Sequence, residues 1–442
     1  MTNWQTKPSA VISGAIKVSG DKSISHRSIM FAALAEGRSE ITGFLQGEDC
    51  IATRKAFEAM GVNIRDEADK IVIDGVGLHG LKKPQLAIDV GNSGTGMRLL
   101  AGVLAGQNFS STLIGDASLM QRPMKRVAEP LSAMGANVNT LDNGCAPITI
   151  SPAKQLRGIE CRQQVASAQV KSAILLAGLY ADGEVVVHEP GVSRDHTERM
   201  LRQFGYAVET IKSGSHRTTR LTGGGKLTAT NITVPSDISS AAFFMVAGAI
   251  SPCQGEIRIA QVGINPTRTG VINILRLMGA DLRYENECQG AEPVADIAIK
   301  PSRLKGINVP VELVPLAIDE FPVIFVAAAC ADGEFVLRGA RELRVKESDR
   351  IEAMAVGLTA LGVNCQVLED GLIIRGNPDN PFPNAATVDS LTDHRIAMAF
   401  AVAGIRAQHG MRILHCDNVA TSFPNFAELA EQVGLFVDEV SA

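Results

Sequence analysis

Six short polar clusters in this 442-residue sequence hold most of the side chains able to bind or transform a charged metabolite. In chain order they are Asp21-Lys22-Ser23 with Arg27; Asn92-Ser93-Gly94-Thr95; Ser167-Ala168-Gln169; Ser236-Asp237-Ile238-Ser239-Ser240; Asp319-Glu320; and Thr392-Asp393-His394-Arg395. Each stands just before an apolar run. Ser, Asn, Asp and Thr in such places are ordinary helix N-caps, whose side-chain oxygens accept from free backbone N–H groups. Capping accounts for any single cluster. It does not account for Lys22, Arg27 and Arg395, because a cation beside the positive end of a helix dipole is unfavourable unless an anion is also present. Helix starts supplemented by cations are the ingredients of an anion site. More basic residues follow at Arg122 (Gln121-Arg122-Pro123-Met124), at Arg194 (Ser193-Arg194-Asp195-His196) and in Arg344-Val345-Lys346-Glu347-Ser348-Asp349-Arg350. Taken singly, Arg194 and Arg344 read as solvated charges. Lys346, Glu347 and Arg350, placed where a strand meets the start of an amphipathic helix and close in sequence logic to Asp319, read as functional. Carboxylates among cations add proton transfer to anion binding.

The elements that must position these clusters repeat six times. An almost wholly apolar segment ending at Gly recurs at Ser28–Gly37, Arg98–Gly106, Val170–Gly183, Ser240–Gly255, Phe321–Gly333 and Arg395–Gly410. The terminal Gly is the C-cap expected of a helix that closes in the left-handed conformation. An amphipathic helix closed by an apolar residue and Gly recurs at Met60-Gly61, Met134-Gly135, Phe204-Gly205, Met278-Gly279, Leu361-Gly362 and Val433-Gly434. The spacing from Gly61 to Gly434 makes the repeat about 75 residues long, the size of a supersecondary unit. Strand signals follow these helices, as at Val62-Asn63-Ile64 and Val363-Asn364-Cys365-Gln366-Val367. A helix apolar on all sides must be buried on all sides. Three such helices per domain, shielded by sheets and by the amphipathic helices, meet that requirement, and six units divide into two domains. Equivalent units aim equivalent helix starts the same way, which gathers their N–H groups and positive dipole ends on one face.

Bulk properties bound the class. The length predicts two domains. Hydrophobic residues make up 45% and charged residues 20%, a globular balance, and the net charge of −5 offers no nucleic-acid or membrane surface. The eight cysteines include no CxxC pair and read as reduced thiols. The start, Met1-Thr2-Asn3-Trp4, has no basic head followed by an apolar run, and no apolar stretch is long enough to span a bilayer, so a cytoplasmic protein is expected. The eight histidines lack metal-ligand spacing. Gly223-Gly224-Gly225-Lys226 lacks the upstream Gly and the following Ser or Thr of a P-loop and reads as a loop.

Together the segments GDKSISHR (Gly20 to Arg27), GNSGTGMR (Gly91 to Arg98), LMQRPM (Leu119 to Met124), SAQVKSA (Ser167 to Ala173), SRDHTE (Ser193 to Glu198), RVKESDR (Arg344 to Arg350), TDHR (Thr392 to Arg395) and SFPNF (Ser422 to Phe426) resemble the enolpyruvyl transferases, and most closely their shikimate-pathway branch. The resemblance covers the whole chain. It implies an α/β (α+β) fold of two similar domains, each of three βαβαββ units with buried parallel helices, an inside-out α/β barrel with the active site in the interdomain cleft. The domains would be 21–235 and 1–20 with 236–442, with hinges near 20–21 and 234–236. It also implies transfer of the enolpyruvyl group of phosphoenolpyruvate to the 5-hydroxyl of shikimate 3-phosphate, with release of phosphate and no metal or organic cofactor. A monomer is the default expectation.

Carried over position by position, Lys22, Ser23, Arg27, Ser167, Ala168, Gln169, Asp319 and Lys346 would hold shikimate 3-phosphate, with Arg194 adding to its phosphate site. Lys22, Gly94, Arg122, Gln169, Arg350 and Arg395 would hold phosphoenolpyruvate. Asp319 is the candidate to remove the hydroxyl proton. Glu347 and Lys22 share the other proton transfers, and His394 either contributes or only hydrogen-bonds locally. Three departures stand out. Thr421-Ser422 replaces a Lys that many relatives carry before Phe-Pro, Ala168 replaces a Ser, and Leu99 replaces a Pro. They match a subgroup less sensitive to glyphosate, whereas Gly94 is the residue that permits this inhibitor, so sensitivity stays open. The nearest rival is the UDP-N-acetylglucosamine enolpyruvyl transferase, which has Asn where Ser23 stands and a reactive Cys on a loop near Arg122. A non-enzymatic repeat protein that binds phosphorylated ligands is the rival from another class.

Overall fold

Twelve α-helices and six sheets form among the described residues of the computed structural model, which are 2–9 and 11–441. The helices are α1 (Lys22–Leu34), α2 (Glu48–Ala59), α3 (Gly94–Ala105), α4 (Lys125–Ala133), α5 (Ala168–Gly178), α6 (His196–Gln203), α7 (Ile238–Ile250), α8 (Gly270–Leu277), α9 (Phe321–Ala329), α10 (Arg350–Ala360), α11 (His394–Ala403) and α12 (Phe426–Gln432). The odd-numbered helices are the apolar ones. All thirteen residues of α7 and all nine of α9 are buried. The even-numbered helices bury one face; in α2 that face is Asp49, Cys50, Thr53, Ala56 and Phe57, the spacing of a helical stripe.

The chain divides into two compact units, Gly20–Val234 and Met1–Ser19 with Pro235–Ala442. Gly20 and Pro235 each lie one residue across the boundary read from the sequence. Each unit has its own apolar core. In unit 20–234 the three sheets run Ile232–Thr233, Glu36–Thr42, Lys70–Val76, Asn63–Glu67; Ile88–Asp89, Ser111–Ile114, Ile148–Ser151, Asn137–Asn139; and Glu160–Arg162, Glu184–Glu189, His216–Thr222, Glu209–Ser213. In every one the first pair is parallel and the next two antiparallel. The last strand of the unit therefore closes onto its first sheet.

The other unit repeats the pattern. One sheet runs Gly14–Ile16, Ile257–Gly263, Val294–Lys300, Asp281–Cys288, and another Ala386–Asp389, Met411–Leu414, Thr2–Thr6, Val437–Ser441. The third has three strands, Gly333–Leu337, Gly371–Gly376 and Asn364–Leu368. Isolated parallel bridges from Lys305 to Asp332 and from Asn308 to Val336 mark where the fourth strand would lie. Gly306 within that stretch and Pro310 just after it disfavour a regular strand.

The amphipathic helices end as their sequences predict. Gly61, Gly135, Gly205, Gly279, Gly362 and Gly434 all have φ between 80° and 94°. In each case the next residue reaches back five positions, as Val62 N–H does to Phe57 and Leu435 N–H to Ala430. The apolar helices do not end as expected. Of the six terminal glycines only Gly106 occupies the C-cap position, with φ −90°, while α11 ends at Gly404 with φ −52°. Gly37, Gly183, Gly333 and Gly410 have positive φ but lie beyond the helix, at the entry to the next strand, and Gly255 has no positive φ. The terminal glycines serve the turn into the sheet rather than the helix end.

Packing inside unit 20–234 leaves no slack between α3 and α5. A methyl group at Gly102 would lie 2.3 Å from the Ala173 carbonyl oxygen and 2.9 Å from its carbon, both backbone atoms. Gly102→Ala is expected to lower the unfolding free energy by about 1–3 kcal/mol, the usual cost of overpacking a core. Urea titration of this variant checks it, and an unchanged midpoint would mean the two helices can part freely.

Candidate active site

Five of the six apolar helices begin with a side-chain cap. Asp21 accepts from Ile24 N–H at 2.8 Å, Ser93 from Gly96 at 2.9 Å, Ser167 from Val170 at 3.4 Å, Asp237 from Ser239 at 2.8 Å and Asp393 from Arg395 at 2.9 Å. Side chains on these starts then reach one another. In unit 20–234, Gln169 at the start of α5 donates through Nε2 to Thr95 Oγ1 on α3 at 2.9 Å, and Arg98 of α3 donates to Gln169 Oε1 at 2.8 Å. Arg27 of α1 donates to Ser172 Oγ of α5 at 2.9 Å, to Thr197 Oγ1 of α6 at 2.7 Å and to the Ser23 carbonyl at 2.9 Å. Helices α1, α3 and α5 therefore start together, and the unpaired N–H groups of their first turns share one end of the core.

The cations at that end are held in two ways. Lys22, the first residue of α1, pairs with the buried Asp49 of α2. Arg122 donates to Asn92 Oδ1 at 2.8 Å and to Ser118 Oγ at 3.4 Å. Asn92 is fixed in turn by Asp116, whose Oδ2 accepts from it at 2.7 Å. An amide oxygen orients a guanidinium through a neutral hydrogen bond, which fixes where Arg98 and Arg122 point. Gly94 lies between them: a methyl group there would come within 2.9 Å of Arg98 Nη1 and 3.4 Å of Arg122 Nη1. Ala168 is the first residue of α5, Ser23 the second of α1, and Arg194 lies half-buried just before α6.

A buried ion triad lies behind this end. Lys171 Nζ is 2.8 Å from both Glu189 Oε2 and Glu198 Oε1, with all three side chains at most 2% exposed. Burial works against the ammonium charge, but Glu198 and Glu189 outweigh it and the Lys171 pKa is raised. His26 is the opposite case. Burial first, then Lys22 and Arg27, push its pKa well below the usual imidazole value. Its Nδ1 lies 2.7 Å from Thr53 Oγ1 and its Nε2 3.4 Å from Ser93 Oγ. Because Thr53 donates to the Asp49 carbonyl, the neutral ring with its proton on Nδ1 satisfies these contacts.

In the unit of residues 1–19 and 235–442 the starts of α7, α9 and α11 also meet. Arg395 of α11 donates through Nη1 to the Asp319 carbonyl at 2.9 Å. Asp319 Oδ1 lies 3.2 Å from Lys346 Nζ and 3.5 Å from Arg350 Nη1. Arg350 is 1% exposed, with Nε 2.8 Å from Asp393 Oδ2 and Nη2 2.7 Å from Glu347 Oε2. Burial opposes its charge, but Asp393, Glu347 and Asp319 outweigh it and raise its pKa. Burial likewise works to raise the Asp393 pKa, and Arg350 overcomes it to hold the carboxylate ionised. Ser348 adds a hydrogen bond to Asp393 Oδ2 at 3.0 Å. Asp319, Lys346, Glu347, Arg350 and Arg395 thus form one cluster.

Two sequence readings change. A 3₁₀ turn, Arg341–Val345, rather than a strand, leads into Lys346 and α10. Arg344 is no solvated charge: it binds Asp349 at 2.5 Å and the carbonyls of Leu368 and Glu369 at 2.7 and 2.8 Å. Four residues now in the clusters were missing from the sequence reading as site residues: Asp49, Arg98, Glu320 and Asp393. Arg98, Glu320 and Asp393 were visible as motif members. Asp49 had no signal, because its partnership with Lys22 depends on how α2 crosses α1. Thr421 donates to the Asn418 carbonyl at 2.7 Å, which places a neutral hydroxyl where many relatives would have the Lys. No group of three His, Cys, Asp or Glu side chains suited to a metal occurs among the described residues.

The repeated sheet-and-buried-helix units place the chain in the enolpyruvyl transferase fold. It has a TM-score of 0.80 with the enolpyruvyl transferase NikO from Streptomyces tendae at 17% identity, covering 100% of this chain and 99% of the other. A family model described as EPSP synthase (3-phosphoshikimate 1-carboxyvinyltransferase) matches residues 6–429, and the chain belongs to that family. It is 57% identical over 440 residues to the 3-phosphoshikimate 1-carboxyvinyltransferase of Hydrogenovibrio crunogenus, covering 99% of this chain and 98% of the relative. It also matches a solved EPSP synthase from Acinetobacter baumannii with a TM-score of 0.89 and 53% identity over all of both chains.

The His26 geometry predicts a pH effect on stability. The unfolded chain binds a proton at His26 near the ordinary imidazole pKa of about 6.5, whereas the folded chain resists it to a much lower pH. Unfolding free energy therefore falls as pH drops below about 6.5, by at most about 1.4 kcal/mol per pH unit from this group. Urea unfolding of His26→Gln between pH 7 and 5 is expected to show a shallower loss than the parent. Parallel curves would assign the acid sensitivity to other groups.

Proposed function

We infer that this chain transfers the enolpyruvyl group of phosphoenolpyruvate to the 5-hydroxyl of shikimate 3-phosphate, releasing phosphate. What carries the reading is that a chain matched over residues 6–429 by this family also gathers its motif residues at clustered helix starts. Each substrate brings a phosphate and a carboxylate, and the clusters offer guanidinium, ammonium and N–H donors suited to both. The UDP-N-acetylglucosamine rival is not favoured by these relatives.

In this reading Lys22, Ser23, Arg27, Ser167, Ala168, Gln169, Arg194, Asp319 and Lys346 hold shikimate 3-phosphate, with Ala168 contributing its backbone N–H. Lys22, Gly94, Arg122, Gln169, Arg350 and Arg395 hold phosphoenolpyruvate. Asp319 removes the proton of the 5-hydroxyl as its oxygen adds to carbon 2 of phosphoenolpyruvate. A proton is delivered to the methylene carbon, making it a methyl group. Loss of a proton from that methyl group and departure of phosphate then restore the double bond in the product. Glu347 and Lys22 are assigned to these further transfers. Lys346 at 3.2 Å and Arg350 at 3.5 Å from Asp319 Oδ1 hold the carboxylate in place. The chemistry is acid–base throughout and is assigned to protein groups alone. The reading needs one copy of the chain and no nucleic acid or membrane. No helix of the described residues is long and apolar enough to cross a membrane. We place the enzyme in the cytoplasm, where its phosphorylated substrates are made.

Phosphate release is expected only when both substrates are present, and not with UDP-N-acetylglucosamine as acceptor. Asp319→Asn, which removes the base but keeps the shape, is expected to lower kcat by about 10²–10⁴-fold. Release without an acceptor, or normal kcat in Asp319→Asn, would overturn the assignment. Gly94→Ala is expected to keep its thermal stability, because the atoms it meets are ends of flexible side chains, while raising KM for phosphoenolpyruvate by about tenfold as the Arg98 and Arg122 guanidiniums shift. Steady-state kinetics in each substrate checks this.

A further inference from the structure

Among the six apolar helices, α9 alone begins without a side-chain cap. Its N-cap residue is Glu320, whose carboxylate makes no bond to the first turn. A Ser or Asp there would gain the capping stabilisation that the other five helices have. Instead the Glu320 side chain is 0% exposed and turned toward the start of α7. Ser239 donates its hydroxyl to Glu320 Oε1 and accepts from Arg268 Nη2 at 2.7 Å. Arg268, itself buried, lies 3.3 Å from Asp237 Oδ1 and 3.9 Å from Glu320 Oε1. On the other side, the same Glu320 oxygen is 3.9 Å from Arg395 Nη1, the nitrogen that donates to the Asp319 carbonyl.

A fully buried carboxylate is costly and persists only when paired. Arg268 and Ser239 supply that pairing, but for fold alone an apolar residue in this place would do as well. Arg395 has the complementary problem, being a cation in the first turn of α11, at the positive end of a dipole. The Glu320 carboxylate, 3.9 Å from Arg395 Nη1, relieves it.

We propose that Glu320 is a positioning residue, anchored by Ser239 and Arg268, that fixes the Arg395 guanidinium against the Asp319 backbone and so sets the cation that grips phosphoenolpyruvate. This rests on the assignment of Arg395 to that substrate. It makes three helix starts one mechanical unit: α7 supplies the anchor, α9 the lever and α11 the cation.

The test uses Glu320→Gln, which keeps the shape and a hydrogen bond to Ser239 but loses the charge. Ser239→Ala, Arg395→Gln and the double variant Glu320→Gln/Arg395→Gln accompany it, with KM for each substrate, kcat and thermal stability measured. Glu320→Gln is expected to raise KM for phosphoenolpyruvate by about tenfold while KM for shikimate 3-phosphate changes less than about twofold, the scale of one charged contact. Ser239→Ala should shift the same constant in the same direction by less. The double variant should be no worse than Arg395→Gln, because the lever has lost its load. Lower thermal stability with both KM values unchanged or equally raised would make Glu320 merely structural and overturn the proposal, as would additive effects in the double variant. If Arg395→Gln itself leaves KM for phosphoenolpyruvate unchanged, the site assignment fails, a result distinct from failure of the lever. Should Glu320→Gln not fold, Ser239→Ala decides by the same split.

Discussion

A helix that is apolar on every face is stable only where every face is covered. That constraint shapes the rest of this molecule. The sheets, the amphipathic helices and the glycine-closed turns all wrap six helices that could not stand in water. Once such a helix is sealed along its sides, its unsatisfied backbone groups can emerge only at its ends. Parallel packing then makes one end of each unit's core rich in N–H groups, and the anion-binding capacity of the protein follows from the way it hides its hydrocarbon.

What the chain does with that capacity depends on how its cations are held. Arg98 and Arg122 lean on the amide oxygens of Gln169 and Asn92, which steer them. Arg350 is bound by Asp319, Glu347 and Asp393, so it organises these carboxylates as well as bringing a guanidinium to the cluster. The two units thus hold their arginines differently on the same scaffold: amide oxygens orient Arg98 and Arg122 in one, while carboxylates surround Arg350 in the other.

Much of the fold was legible in the sequence, because burial and helix endings are local statements. An unbroken run such as Phe321 to Ala329 announces a buried helix, and Met60-Gly61 announces where an amphipathic one stops. The helix-start clusters were legible for the same reason, since N-caps sit beside the helix they cap. The glycines beyond the apolar helices misled because a Gly needed to enter a strand looks the same, in sequence, as a Gly needed to leave a helix. Partnerships across distance were hidden. Lys22 with Asp49, and Glu320 with Ser239 and Arg268, join residues whose proximity is decided by helix crossing and not by spacing. Glu320 was read as one member of a capping cluster; only the coordinates reveal a carboxylate that declines to cap.

The strand Thr2–Thr6 lies between Met411–Leu414 and Val437–Ser441, and Trp4 stacks on Phe426 at 5.6 Å. The Thr2 N–H reaches Asp417, 415 residues away. On a ribosome adding about 5–20 residues per second, the first strand waits roughly 20–85 seconds for its neighbours. The stretch from Gly20 to Val234, contiguous and with its own core, has no such wait. Birth order and fold order therefore diverge: the middle of the message matures first, and the earliest amino acids made are among the last to find their place.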